Sequence, residues 1–96
     1  MDYRPIYHHE IPDDLGDIPA NIKDRIQRAI ETRLLADPVS YGLPLRKSLR
    51  GHRKLRVGDY RVIYRIEGRQ VIILKIGHRK SVYPQALVRL TKPVKA

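Results

Sequence analysis

Between residues 50 and 83 the chain has three short segments in which apolar residues alternate with polar or cationic ones, separated by turn residues. This alternation is typical of β-strands with one buried face. Val57-Gly58-Asp59-Tyr60 predicts a hairpin with a two-residue loop, because glycine at the first loop position suits a type II′ turn. Directly opposed residues share a sheet face, so Leu55 and Val62 are expected on the core face. Arg56 and Arg61 then lie together on the opposite face.

The second hairpin has two possible registers, which differ in where they put Lys75. A three-residue loop, Glu67-Gly68-Arg69, pairs Val62 with Leu74. A two-residue loop would bury Lys75, and an unpaired buried ammonium is costly, so the three-residue loop is predicted. In this register the core face receives Ile72, Leu74 and Ile76, and the cationic face receives Lys75 and Arg79.

Helical segments are predicted on both sides of the strands. Residues 19 to about 36 form the longest, with Asp17 as the expected cap, and the Asp37-Pro38 pair ends it. Residues 10–16 and 84–90 predict shorter helices, each with proline in its first turn. The long helix has an apolar stripe at helical spacing, formed by Ile22, Ile26, Ala29, Ile30 and Leu34.

The predicted fold is α+β. Residues 3–8 read as an edge strand, because Pro5 cannot donate to a ladder. The expected architecture is a small antiparallel sheet of about four strands, packed against an N-terminal helical hairpin and followed by a short C-terminal helix. The 96 residues leave room for one domain over residues 1–96, with residues 91–96 expected to form a frayed tail.

The positive charge is concentrated in the strand region. The net charge is +10, yet residues 1–37 hold five Lys/Arg against eight Asp/Glu, while residues 38–96 hold fifteen against two. This asymmetry indicates an anionic partner. A membrane surface is disfavoured, because no amphipathic helix opposes a basic face to a broad apolar one. Nucleic acid is therefore the preferred class of partner.

Several functional classes are disfavoured by composition. The chain has no cysteine, which excludes disulfides, thiolate metal ligands and cysteine nucleophiles. Neither a signal peptide nor an apolar run long enough to span a bilayer is present, so a cytoplasmic location is expected. The four histidines lack metal-ligand spacing supported by acids, so no metal and no cofactor are predicted.

One sheet face is expected to gather many like charges, which repel one another unless a polyanion binds there. Its predicted members are His52, Lys54, Arg56, Arg61, Arg65 and Arg79.

Four stretches of this region, taken together, resemble the RelE/ParE superfamily of type II toxins. They are Leu49-Arg50-Gly51, residues 54–64 (KLRVGDYRVIY), Gly77-His78-Arg79 and Val82-Tyr83. The resemblance implies an antiparallel sheet backed by a helical hairpin, and an antitoxin encoded beside the toxin. RelE-like members cut mRNA in the ribosomal A site without a metal, whereas ParE-like members poison DNA gyrase and lack the RNase residues.

The RelE-like branch is favoured, because the basic and aromatic positions of its cleft have counterparts in this chain. The resemblance implies catalytic positions at Lys54, Arg61, Arg79 and Tyr83, and a further RNA contact at Arg50. Histidine at position 52 is a departure, since the best-known member has a second lysine there. Arg56 and Arg65 are predicted either to attract RNA through their positive charge or to pair with an acid of the antitoxin.

The chemistry expected of this cleft is attack by the RNA's own 2′-hydroxyl on the adjacent phosphate. Lys54 is predicted to remove the hydroxyl proton, because neighbouring cations disfavour its charged form, and His52 is the alternative base. Arg61 would clamp the phosphate and Arg79 would stabilise or protonate the leaving oxygen. Tyr83 would stack on or orient a base.

Two other functions remain open from the sequence. One is a ParE-like gyrase inhibitor with the same fold, and the other is a non-catalytic RNA-binding module. The expected partners are mRNA, the ribosome and an acidic antitoxin that covers the basic cleft or displaces the C-terminal helix.

Overall fold

The computed structural model describes residues 3–91, so all of the predicted tail except Thr91 lies outside the described residues. The strands are β1 (Arg4–Tyr7), β2 (Leu43–Pro44), β3 (Arg53–Val57), β4 (Tyr60–Glu67) and β5 (Gln70–His78). The helices are α1 (Ile11–Gly16), α2 (Ala20–Ala29), α3 (Pro38–Tyr41) and α4 (Val82–Thr91). A π-helical segment (Ile30–Leu34) continues α2, and a 3₁₀ turn (Lys47–Leu49) precedes β3. Within residues 3–91, no helix has the length and apolarity needed to cross a membrane.

The strands form one sheet in the order β1-β5-β4-β3-β2, in which β1 runs parallel to β5 and the other pairs are antiparallel. The predicted α+β class is confirmed, as is the edge position of the N-terminal strand. The sheet has five strands rather than about four, because Leu43 and Pro44 add a two-residue strand beside β3.

The long helix forms as predicted but changes its winding near its end. The Leu35 amide donates to the Ile30 carbonyl at 3.0 Å, five residues back, which defines a π turn. The Thr32 hydroxyl donates to the Arg28 carbonyl at 2.7 Å, a side-chain bond that competes with the regular backbone ladder. The prediction that Asp17 caps this helix is wrong, because the capping position is Pro19 and no side chain caps it.

Two apolar clusters lie on opposite faces of the sheet. The larger packs the long helix against one face and buries Ile26, Ile30, Leu34, Leu55, Val62 and Tyr64. The smaller packs α4 against the other face and contains Leu49, Ile63, Leu74, Val82 and Ala86, with Tyr83 at its margin. The cationic face is therefore partly covered by the C-terminal helix.

The predicted register of the second hairpin is wrong. Glu67 pairs with Gln70 across a two-residue loop, and Val62 pairs with Ile76 rather than Leu74. A β-bulge at Leu74 reverses the alternation, so Ile73 and Ile76 both join the larger cluster while Leu74 joins the smaller one. The objection to burying Lys75 fails as well, because its ammonium is paired with a carboxylate of α1.

Candidate active site

The first hairpin has the register that the sequence predicted. Arg56 pairs with Arg61, and Lys54 pairs with Ile63. Gly58 has a φ of 58°, the left-handed conformation that a type II′ turn requires at its first loop position. Lys54 and Arg61 are diagonal neighbours on one face, a relation in which Cα atoms are typically about 7 to 8 Å apart.

The Gly58-Asp59 turn holds two of the predicted catalytic arginines at one end of this face. One terminal nitrogen of Arg61, Nη1, donates to the carbonyls of Gly58 and Tyr60, both at 2.9 Å. Arg79 donates its amide to the Asp59 carbonyl at 2.8 Å, and its Nε lies 3.5 Å from the Asp59 carboxylate. Both side chains of that ion pair are more than half exposed, so Arg79 can exchange Asp59 for a phosphate at little cost.

Lys54 and Tyr83 meet where α4 crosses the sheet. The Lys54 ammonium lies 5.7 Å from the centroid of the Tyr83 ring, within the range of a cation–π contact. Tyr83 is the second residue of α4, which begins two residues earlier than predicted. No carboxylate within residues 3–91 pairs with Lys54.

His52 lies just before β3, and its environment keeps the imidazole neutral. Burial, followed by the positive charge of Arg65, lowers the pKa of His52 below its ordinary value. Its Nδ1 atom is buried and has no hydrogen-bond partner among the described residues. A neutral imidazole can accept a proton, so both predicted bases remain chemically possible.

The three predicted RNA-binding arginines differ in their surroundings. Arg65 forms an exposed ion pair with Glu67, which reduces its availability to a ligand. Arg50 is exposed at the end of the 3₁₀ turn. Arg56 is also exposed, directly opposite Arg61. Neither Arg50 nor Arg56 has an ion pair within residues 3–91.

A buried ionic network, missed from the sequence, anchors α4. The Asp14 carboxylate accepts two hydrogen bonds from Arg89, at 2.8 and 2.9 Å, and one from the Lys75 ammonium at 2.8 Å. It also accepts from the Ile76 amide, and Arg89 additionally donates to the Leu74 carbonyl. The Glu10 carboxylate lies 3.6 Å from Arg89. The network therefore joins α1, β5 and α4.

Asp14 is ionised within this network. Burial raises the pKa of Asp14, but the hydrogen bonds from Arg89, Lys75 and the Ile76 amide outweigh burial and leave the pKa lowered. Lys75 and Arg89 each interrupt an otherwise apolar run, which was the sequence signal that each needs a buried partner. Since Tyr83 and Arg89 share α4, the network also holds Tyr83 beside Lys54.

One group of possible metal ligands occurs within residues 3–91. The ligand atoms of His8, His9 and Glu10 lie within 4.8 Å of one another. His8 Nδ1 already accepts the Glu10 amide at 3.1 Å, and Glu10 also neighbours Arg89. These contacts place the group beside the buried ionic network and not on the cationic face.

Comparison with known proteins supports the family resemblance. Residues 6–83 match the sequence model of a family described as the ParE toxin of the type II toxin-antitoxin system parDE. The toxin RelG of Mycobacterium tuberculosis is 35% identical over 72 residues, which cover 73% of this chain and 83% of that protein.

Solved structures show the same fold. The M. tuberculosis toxin–antitoxin complex RelBE2 contains a chain that superposes with a TM-score of 0.76 at 31% identity, covering 82% of this chain and 100% of that one. A mutant of the Escherichia coli toxin RelE in the free state superposes with a TM-score of 0.71 at 16% identity, covering 94% of this chain and 99% of that one. At that identity the second likeness concerns the fold alone. The chain therefore belongs to the RelE/ParE superfamily of type II toxins and is RelE-like.

Proposed function

We propose that this toxin is a metal-independent endoribonuclease that cleaves mRNA on the ribosome and thereby inhibits translation. The observation that carries the proposal is the convergence of Lys54, Arg61 and Tyr83 on one sheet face, with Arg79 at the adjoining turn. Such a face can bind a phosphate, bind a base and accept a proton without any metal ion. Action on the ribosome would place the toxin in the cytoplasm.

In the proposed reaction the 2′-oxygen attacks the adjacent phosphorus and its proton passes to Lys54 or to neutral His52. A bond forms between phosphorus and the 2′-oxygen, and the bond to the 5′-oxygen breaks. Arg61 neutralises charge on the non-bridging oxygens, because its Nε and Nη2 donors are not used by the turn carbonyls. Arg79 stabilises or protonates the departing 5′-oxygen. The products are a 2′,3′-cyclic phosphate and a 5′-hydroxyl.

The proposed protein partner is an antitoxin. The related RelBE2 chain is described in a complex of toxin with antitoxin. The cations of this chain that lack a carboxylate partner among residues 3–91 and lie outside the cleft between the long helix and the first hairpin, such as Lys54 and Arg50, suit an acidic antitoxin segment. An antitoxin that displaces α4 would act differently, because it would have to break the contacts of Arg89 with Asp14.

A ParE-like gyrase inhibitor is the second candidate, because the matching family model carries the ParE description. That function would not use the cationic face for catalysis. The substitutions Arg61→Ala and Arg79→Ala separate the two candidates. For the nuclease we expect both variants to fold, to bind antitoxin and to lose toxicity.

Arg69→Ala is the matched control, because it removes an exposed arginine at the opposite end of β5. Primer extension on mRNA in a translating extract is the direct readout, and cuts should appear with the parent protein and Arg69→Ala only. Retained toxicity of Arg61→Ala and Arg79→Ala with DNA damage would favour gyrase. RNA binding without cuts at ribosome-occupied codons would favour a simple RNA-binding module.

A further inference from the structure

A second cationic feature lies between the long helix and the tip of the first hairpin. It is a cleft of about 250 Å³ lined by four arginines, and we call it the arginine cleft. Its arginines are Arg25, Arg28, Arg33 and Arg56. All four are exposed.

Among the described residues, no carboxylate forms an ion pair with any arginine of the arginine cleft. The nearby helical acids are directed elsewhere: Glu31 accepts a hydrogen bond from Gln27, and Asp24 lines a separate apolar groove beside Ile26. Like charges that converge without counter-charges destabilise the folded state, so their arrangement points to an anionic ligand.

The π turn helps to assemble this cleft. In a regular α-helix, residues five apart lie about 140° from each other around the axis. The wider π turn closes its hydrogen bond over five residues, which reduces this angle between Arg28 and Arg33. The irregular winding therefore brings two cations toward one side of the helix. π turns of this kind are frequent at functional sites.

The arginine cleft adjoins the proposed active site at one turn. The Arg25 guanidinium packs over Gly58, 3.5 Å from where a Cβ atom of that residue would lie. The carbonyl of the same glycine accepts the hydrogen bond from Arg61. Arg56 lines the cleft and pairs with Arg61 across the hairpin. The cations of the sheet face and of the arginine cleft therefore meet at the hairpin tip, where the Asp59 carboxylate is paired with Arg79.

We propose that the arginine cleft binds the phosphate backbone of RNA outside the strand that is cleaved. The identity of the polyanion as RNA rests on the function proposed above. Guanidinium groups match phosphate geometry through paired donors, and two adjoining cationic surfaces suit a repeating chain of phosphates.

An acidic peptide fits the cleft less well, because protein interfaces are anchored by aromatic side chains as well as by arginine, and the described residues that line the cleft include arginines but no aromatic side chain. The apolar lining residues Ala29 and Val57 are buried. Within residues 3–91, the large exposed apolar residues lie outside the cleft: Ile6, Tyr7, Val39, Tyr41, Leu43, Val88 and Leu90.

The test measures binding of a short 2′-O-methyl RNA, which cannot be cleaved by 2′-hydroxyl attack, in an Arg61→Ala background. The double variant Arg28→Gln/Arg33→Gln is compared with Arg4→Gln/Arg69→Gln, which removes the same charge from exposed arginines elsewhere. Each lost phosphate contact on a single strand lowers the slope of log affinity against log salt by about 0.7. We expect the cleft variant to lose about 1.4 from this slope and the control variant to keep it.

Equal slopes for the two variants would overturn the proposal. It would also be overturned if a polyglutamate peptide bound more tightly than the RNA and its binding required Arg28 and Arg33. Amide NMR provides a readout that needs no variant of the cleft, since added RNA should shift the signals of Ala29, Thr32 and Gly58. Absence of those shifts at saturating RNA would also overturn it. Cleft-dependent RNA binding, combined with no mRNA cleavage by the parent protein, would refute the proposed nuclease and leave the proposed RNA site in the cleft intact. Cleavage by the parent protein, combined with a salt slope that the cleft variant leaves unchanged, would refute the cleft proposal and leave the nuclease intact.

Discussion

Replacing Asp14 with alanine should destabilise the fold more than any exposed charge change in the chain. The Asp14 side chain is 2% exposed, and its partners Arg89 and Lys75 are 7% and 13% exposed. Removing the carboxylate leaves two cations in the protein interior, and the nearest remaining carboxylate of residues 3–91 is Glu10, 3.6 Å from Arg89. Breaking a buried ion pair from one side typically costs about 3 to 5 kcal/mol. Because Glu10 compensates in part, we expect a loss of about 3 kcal/mol.

Urea unfolding followed by circular dichroism measures this loss, and Asp13→Ala is the matched control. Asp13 is exposed on the same short helix, so its removal should cost at most about 1 kcal/mol through the helix dipole. In a thermal scan the Asp14→Ala midpoint should fall by roughly 12 to 24 °C for a domain of this size. In a Lys75→Met background the cost of Asp14→Ala should shrink, because only one cation is then left unpaired. Equal stability of the Asp13→Ala and Asp14→Ala variants would refute the assignment of this network.

Three further predictions follow from individual contacts. The stability that Asp14 contributes should be complete above about pH 4, its ordinary pKa range, and should be lost as pH falls through its lowered pKa. Acid titration of the parent and Asp14→Asn proteins measures this: their difference in unfolding free energy should shrink only below about pH 4. Gly42→Ala should cost about 1 to 3 kcal/mol in urea unfolding, because the new Cβ would overlap the Tyr64 hydroxyl and lie 2.8 Å from its Cζ, whereas Gly16→Ala meets nothing within 4 Å and should cost nothing. If His52 is the base, Arg65→Gln should raise its lowered pKa and move the acidic limb of the cleavage rate to higher pH, and an unmoved limb would favour Lys54.

The parts of the fold that local chemistry determines could be predicted from the sequence. The Gly58-Asp59 turn specifies the register of the first hairpin, and the apolar stripe specifies the buried face of the long helix. The register of the second hairpin depends instead on a bulge and on Asp14, which lies 61 residues before its partner Lys75. No local pattern contains that contact.

The candidate site shows the same division between local and distant information. The pairing of Arg56 with Arg61 follows from one hairpin, so it could be predicted. The network that fixes α4 joins three elements distant in sequence, whereas the local pattern around Asp13 and Asp14 indicates only the first turn of a helix. The spacing of apolar residues also does not reveal the π turn, so the position of Arg33 could not be predicted from the sequence.

The ends of the RNA fragments test the proposed nuclease most directly. The parent or Arg61→Ala toxin is incubated with mRNA and with ribosomes that are free of contaminating nuclease. The two RNA ends at each cut are then analysed. The proposed mechanism predicts a 2′,3′-cyclic phosphate on the upstream fragment and a 5′-hydroxyl on the downstream fragment, and no cuts with Arg61→Ala. Downstream fragments that carry 5′-phosphate, or cuts that persist with Arg61→Ala, would contradict it.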